Sequence, residues 1–189
     1  MKKIKCFVTA VLLTGSLLTV EAAEPKETEQ AKAAETAEDA LFGQFETTLL
    51  DGEETDQDIF AQAELTMVNI WGTFCGPCIR EMPDLGELAQ EYAEKEVQLV
   101  GIISDVISGK DTADAETIVE YTGADYPQLL LSEDLYLNYL SQVQVVPTTV
   151  FVNRQGQQVG EVYTGSRSKE EWSEILDELL AEVQEEETE

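Results

Sequence analysis

Two cysteines three positions apart stand in the run Trp71-Gly72-Thr73-Phe74-Cys75-Gly76-Pro77-Cys78. A thiolate attacks disulfides, and two sulfurs at this spacing can close on each other, so the pair can pass two electrons to or from another molecule. Placement sharpens that reading. The pair follows an apolar run and opens a stretch of helical periodicity, so the Cys75 thiol faces the unpaired N–H groups and positive dipole end of a helix N-terminus. Both stabilise a thiolate, and ionisation below the free-cysteine value of about 8.5 is expected. Cys75 is thus expected as the exposed, attacking sulfur. Cys78, one turn further in, is expected as the shielded sulfur that displaces the mixed disulfide. Pro77 stiffens the first turn, where its missing N–H has no intrahelical partner to lose. Gly76 lets the backbone of a partner come close.

Other uses of the pair compete with this one. A zinc site would need further ligands, and the chain has no histidine and only one other cysteine, Cys6 near the start. A purely structural disulfide would close a very short loop and remove little unfolded-chain entropy. Inert buried thiols fit poorly with export, argued below. Around the pair, Glu81 lies one helical turn beyond Cys78; partly buried, its carboxyl would hold a proton more tightly and suit proton exchange with Cys78, the alternative being a plain surface acid. Trp71 and Phe74 are placed either to line the approach to the pair or to pack. Arg80 is the nearby cation, and Asn69 reads as a core amide.

The elements that must position these residues follow from periodicity. Phe45 to Leu50 reads as a strand ending at the Asp51-Gly52 turn, and Asp56 to Ala63 as a short helical stretch. Leu65 to Trp71 is an apolar run suited to a central strand covered on both faces. Gly76 to about Glu94 is a helix bent at Pro83, with Met82, Leu85, Leu88 and Tyr92 at helical spacing. Val97 to Ile103 is a second buried strand, parallel to the first across this crossover. Beyond it, the sequence gives a helix over Ala113 to Tyr121, a strand over Gln128 to Leu131 and a helical turn over Glu133 to Leu140. A strand over Thr148 to Val152, a turn at Gly156 and an antiparallel partner over Gln158 to Tyr163 come next. The last helix starts at a Ser168/Glu171 capping box and carries Trp172, Ile175, Leu176, Leu179, Leu180 and Val183 on one face.

The chain has 189 residues, 11 basic and 39 acidic, for a formal charge of −28. Nucleic acid is excluded as a partner, because a polyanion would be repelled. Without histidine there is no Ser-His-Asp triad and no Cys-His pair. Residues 1–22 read as an export signal, with Lys2, Lys3 and Lys5, an apolar stretch from Phe7 to Val20, and Val20-Glu21-Ala22 as a cleavage site before Ala23. A largely apolar stretch of fourteen residues is short for a bilayer span, which favours cleavage over retention as an anchor. Residues 23–40, rich in Ala and Glu, read as a flexible acidic linker, and residues 41–189 as one domain. The acidic face and tail of the last helix read as a solvated surface.

Taken together, VNIWGTFCGPC, the continuation IREMPDL, the strand VQLVGII, Val145-Val146-Pro147-Thr148-Thr149 before a strand, and the amphipathic last helix resemble the thioredoxin fold, in its exported TlpA/ResA-like thiol-disulfide oxidoreductase branch. The resemblance implies an α/β three-layer sandwich: a central mixed sheet flanked by helices, with an insertion before the strand that follows Pro147. It implies a cis Val146-Pro147 bond beside Cys75, with Val146 offering its backbone to an extended client. It also implies catalysis by Cys75, Cys78 and Glu81, with Trp71, Phe74, Gly76, Pro77, Val146 and Pro147 toward the client. No cofactor is needed beyond the redox-active disulfide. The expected activity is reduction of disulfides in exported proteins, on the outer face of the cytoplasmic membrane or beyond it, by a monomer recharged through a membrane thiol-electron transporter. A disulfide-forming oxidase or isomerase, and a non-enzymatic adhesion or scaffold module, are the alternatives. Ile79 stands where relatives often carry lysine, and the segment from Ser104 to Leu140 matches loosely.

Overall fold

The computed structural model describes residues 39–186. The expected leader, nearly all of the expected linker and the end of the tail lie outside the described residues. In chain order the elements are β1 (Glu46–Thr48), β2 (Glu54–Asp56), β3 (Leu65–Trp71), α1 (Gly76–Tyr92), β4 (Val97–Ile107), α2 (Ala113–Thr122), β5 (Gln128–Leu131), α3 (Glu133–Asn138), β6 (Thr148–Asn153), β7 (Gln158–Thr164) and α4 (Lys169–Glu186). No helix among the described residues is long and apolar enough to cross a membrane.

Every residue of β3 is buried, and the strand sits at the centre of a five-stranded sheet ordered β5-β4-β3-β6-β7. It pairs parallel with β4 and antiparallel with β6, which makes the sheet mixed. Side chains alternate across it. Leu65, Met67 and Trp71 face a core shared with Met82, Leu85 and Leu88 of α1 and with Trp172 and Leu176 of α4. Val68 and Ile70 face the other way, onto Phe42, Phe45 and Phe60 and onto Leu135 of α3. The sheet is thus the middle of three layers. Long helices cover one face; the N-terminal segment, a 3-10 turn and the short α3 cover the other.

Helix ends are fixed by side chains. At the start of α4 the Ser168 N–H donates to Glu171 Oε2 at 2.9 Å, and the Glu171 N–H donates to Ser168 Oγ at 3.3 Å, the reciprocal box expected from the sequence. Pro83 stands inside α1 on its exposed side. Gly86, on the buried side, lies so close to the end of α2 that a Cβ there would fall 2.4 Å from the Gly123 carbonyl oxygen.

Two stretches differ from expectation. Asp56 to Ala63 is not helical from its start: β2 runs through Asp56, pairing with β1 across the Gly52 turn, and a 3-10 helix over Gln57–Gln62 follows. Three-residue strands are too short to leave a period in the sequence; β2 exists because β1 offers it a partner. β4 runs past Ile103 to Ile107, with a register shift against β5 between those residues. The added residues include Ser104 and Asp105, polar groups that the apolar pattern could not assign to a strand.

Candidate active site

Trp71 ends β3, and the chain turns directly into α1. Cys75 is the N-cap of that helix, in extended conformation, and its Sγ accepts the Cys78 backbone N–H at 3.2 Å. The two cysteines are joined in a disulfide, with their Cα atoms 5.3 Å apart. Cys78 is shielded as expected, 1% exposed; Cys75 is also nearly covered, at 5%, which corrects the expectation of an exposed sulfur. The reason is the loop before β6, whose Val146 carbonyl oxygen lies 3.5 Å from Cys75 Sγ. The Val146-Pro147 peptide bond is cis. Pro147 is buried and Val146 half-buried, and the loop is tied down by a Thr148 hydroxyl donating to the Val145 carbonyl at 2.8 Å and a Gly165 N–H donating to the Pro147 carbonyl at 2.9 Å.

Phe74 projects from the turn, 73% exposed, beside a groove of about 500 Å³ that is also lined by Ser104, Asp105, Tyr136, Val145 and Val146. Pro77 is exposed and Gly76 partly so, the latter with the Arg80 guanidinium alongside. Trp71 does not join them. It is wholly buried, and its indole N–H donates to Gln128 Oε1 at 2.9 Å, so it packs the site from beneath and cannot touch a client. Asn69 is a core amide, donating to Thr149 Oγ1 at 3.1 Å.

Glu81 is 3% exposed. Its Oε1 accepts the Arg167 backbone N–H at 2.8 Å and the Trp172 indole N–H at 2.7 Å. Burial pushes its carboxyl above the usual glutamate range, while these two hydrogen bonds and the Arg167 charge pull the other way. The carboxyl therefore sits one turn from Cys78 with its proton affinity raised, the environment a proton acceptor for a thiol needs.

Several positioning groups were not visible from spacing. Asp105 holds the turn before the cysteines, accepting the Thr73 N–H at 3.0 Å and the Thr73 hydroxyl at 2.5 Å from 32 residues away. Ser104 donates to the Trp71 carbonyl at 2.8 Å. Gln128 holds Trp71, and Gly101 leaves it room, since a Cβ there would fall 1.8 Å from the Gln128 amide oxygen. Trp172 read only as core; its N–H toward Glu81 carries no sequence signal.

With a sulfur capping a helix, a second sulfur behind it and a buried carboxyl one turn on, the arrangement can run dithiol-disulfide exchange. A family model described as Redoxin matches residues 27–179. Among relatives, the chain is 31% identical over 112 residues to the thiol-disulfide oxidoreductase ResA of Geobacillus thermodenitrificans, a match covering 59% of this chain and 61% of that protein. Less than two thirds of that relative's length is thereby spanned. Among solved structures, a thioredoxin-family thiol:disulfide interchange protein from Chlorobium tepidum superposes with a TM-score of 0.61 at 21% identity, over 72% of this chain and 93% of that one. A secreted Mycobacterium tuberculosis disulfide oxidoreductase homologous to E. coli DsbE gives 0.59 at 23%, over 72% and 96%. At these identities the structures bear on the fold, which is thioredoxin-like.

Proposed function

The chain belongs to the redoxin family, and from that premise we propose that it exchanges disulfides with client proteins through Cys75 and Cys78. The observation that carries this reading is Cys75 Sγ at the N-cap of α1, accepting a backbone N–H at 3.2 Å beside the Val146 loop. In the reducing direction, the Cys75 thiolate attacks one sulfur of a client disulfide, and the other client sulfur leaves as a thiolate and takes a proton. Cys78 gives its proton to Glu81 and attacks Cys75. The Cys75–Cys78 bond forms, the bond to the client breaks, and two electrons have passed to the client. Phe74, Gly76, Pro77 and Val146 form the client-facing surface, with the Val146 backbone pairing to an extended segment; Pro147, expected there as well, is buried and holds the loop from beneath.

Reduction is the proposed direction. Gly-Pro between the cysteines supplies no histidine to stabilise the reduced thiolate, so the disulfide is not made strongly oxidising. Export is supported by the basic and apolar leader over residues 1–22. The clients are then exported proteins, and a membrane thiol-electron transporter recharges a monomeric carrier, because the exterior supplies no reducing pool.

Insulin reduction tests the reading. The wild-type chain, supplied with a dithiol, is expected to accelerate precipitation of the insulin B chain, and Cys75→Ser is expected to fall to the uncatalysed rate. Equal activity in the two proteins would overturn the assignment. A glutathione redox equilibrium close to that of strong oxidants would reverse the direction.

A further inference from the structure

Two buried side-chain oxygens among the described residues make no hydrogen bond to any protein group, Glu81 Oε2 and Tyr126 Oη. They are chemically complementary. Glu81 Oε1 is fully engaged by the Arg167 and Trp172 N–H groups, which leaves Oε2 an acceptor with nothing donating to it. Tyr126 Oη carries a proton with nothing to accept it, in a side chain 8% exposed. The close approach of Gly86 to Gly123 packs the 123–127 turn against α1, and Tyr126 belongs to the same core as Cys75, Cys78 and Trp172. Gln128 lies two residues on with its amide beside the phenol; its nitrogen makes one long contact, 3.4 Å to the Ala124 carbonyl, and as a donor it cannot accept the phenol proton. Two buried oxygens of this kind, one lacking a donor and the other an acceptor, are the partners that one internal water would satisfy.

We propose that Tyr126 is a positioning residue for Glu81, its hydroxyl donating to Oε2 through a single internal water seated between α1 and the 123–127 turn. The proposal rests on the exchange reading above and deepens it. In the resolving step the Cys78 thiol loses its proton to Glu81 Oε2, the oxygen that Tyr126 orients. A donor on Oε2 favours the charged carboxylate and so offsets part of the effect of burial. The Glu81 charge in turn adds to burial in raising the Tyr126 phenol, which keeps it protonated and a donor throughout the working range. The other charges that face Glu81 are Arg167, which favours the carboxylate, and Asp84 on its own helix, which opposes it.

The test is a carbon-13 NMR titration of the Glu81 carboxyl in the oxidised chain, where neither cysteine titrates, comparing wild type with Tyr126→Phe. The wild-type midpoint is expected above that of an ordinary glutamate. In Tyr126→Phe it is expected to move higher still, with an acidity constant lowered about three-fold and the Trp172 indole N–H signal retained. A midpoint that stays put or falls overturns the proposal. Should the variant not fold, water-to-protein cross-relaxation on the wild-type chain decides. A long-lived water at the Tyr126 ring is expected, and its absence overturns the proposal equally. No client and no free thiol enter either measurement, so a negative result removes Tyr126 and leaves the exchange reading intact, whereas a failed insulin assay does the reverse.

Discussion

Glu81 is the one charged side chain buried among the described residues, and it is held by a single carboxyl oxygen. Burial raises its proton affinity in the folded chain above that in the unfolded chain. Between the unfolded value and the raised folded value the native state binds more protons than the unfolded state, so stability falls as pH rises through that window. Below the unfolded value the contribution vanishes, and above the folded value the full cost of burying the charge remains. Glu81→Gln can still accept both N–H groups and has no charge to bury. Urea unfolding across a pH series is therefore expected to show the variant gaining on wild type as pH rises from about 4, with a constant gap at higher pH. A gap that widens toward acid would contradict this. Glu81 was legible because its link to Cys78 is local, three residues along one helix. Asp105 and Gln128 were not, because each reaches its partner across the sheet, 32 and 57 residues away in sequence.

Elements with a strong period were read nearly to the residue: β3, α1 and β5 match their expected spans within about two residues, and α4 starts at its expected capping box. The hairpin strand β2 and the extension of β4 were missed, since both depend on a neighbour and not on their own pattern. Trp71 was misplaced for a related reason. A strand-end aromatic reads alike whether it faces a client or the core, and the choice is made by Gln128, for whose side chain Gly101 leaves room. Packing of α1 on the end of α2 is set by Gly86, where the absent Cβ is what permits the approach. Replacing a mid-helix glycine by alanine ordinarily stabilises by about 1 kcal/mol. Here the added carbon meets backbone, which cannot rotate away. Gly86→Ala is expected to lose about 1–3 kcal/mol in denaturant unfolding and to perturb Tyr126, which sits on the displaced turn. A stabilised variant would refute the packing argument.

At the scale of the whole molecule, the charge of −28 opposes the chemistry proposed for Cys75, since a field of carboxylates disfavours one more anion. Distance decides the contest. Charges spread over the surface are screened beyond about 8 Å at physiological salt, whereas the Cys78 N–H meets Cys75 Sγ at 3.2 Å, and the dipole of a 17-residue helix acts at its first turn. The local donor and dipole outweigh the distant charge, which added salt screens further. The most direct test is the ionisation of Cys75 itself, followed by thiolate absorbance against pH in the reduced Cys78→Ala variant at physiological salt. A midpoint below the free-cysteine value of about 8.5 is predicted; a midpoint at or above it would contradict the account, because Cys75 would then have no thiolate advantage with which to open a client disulfide.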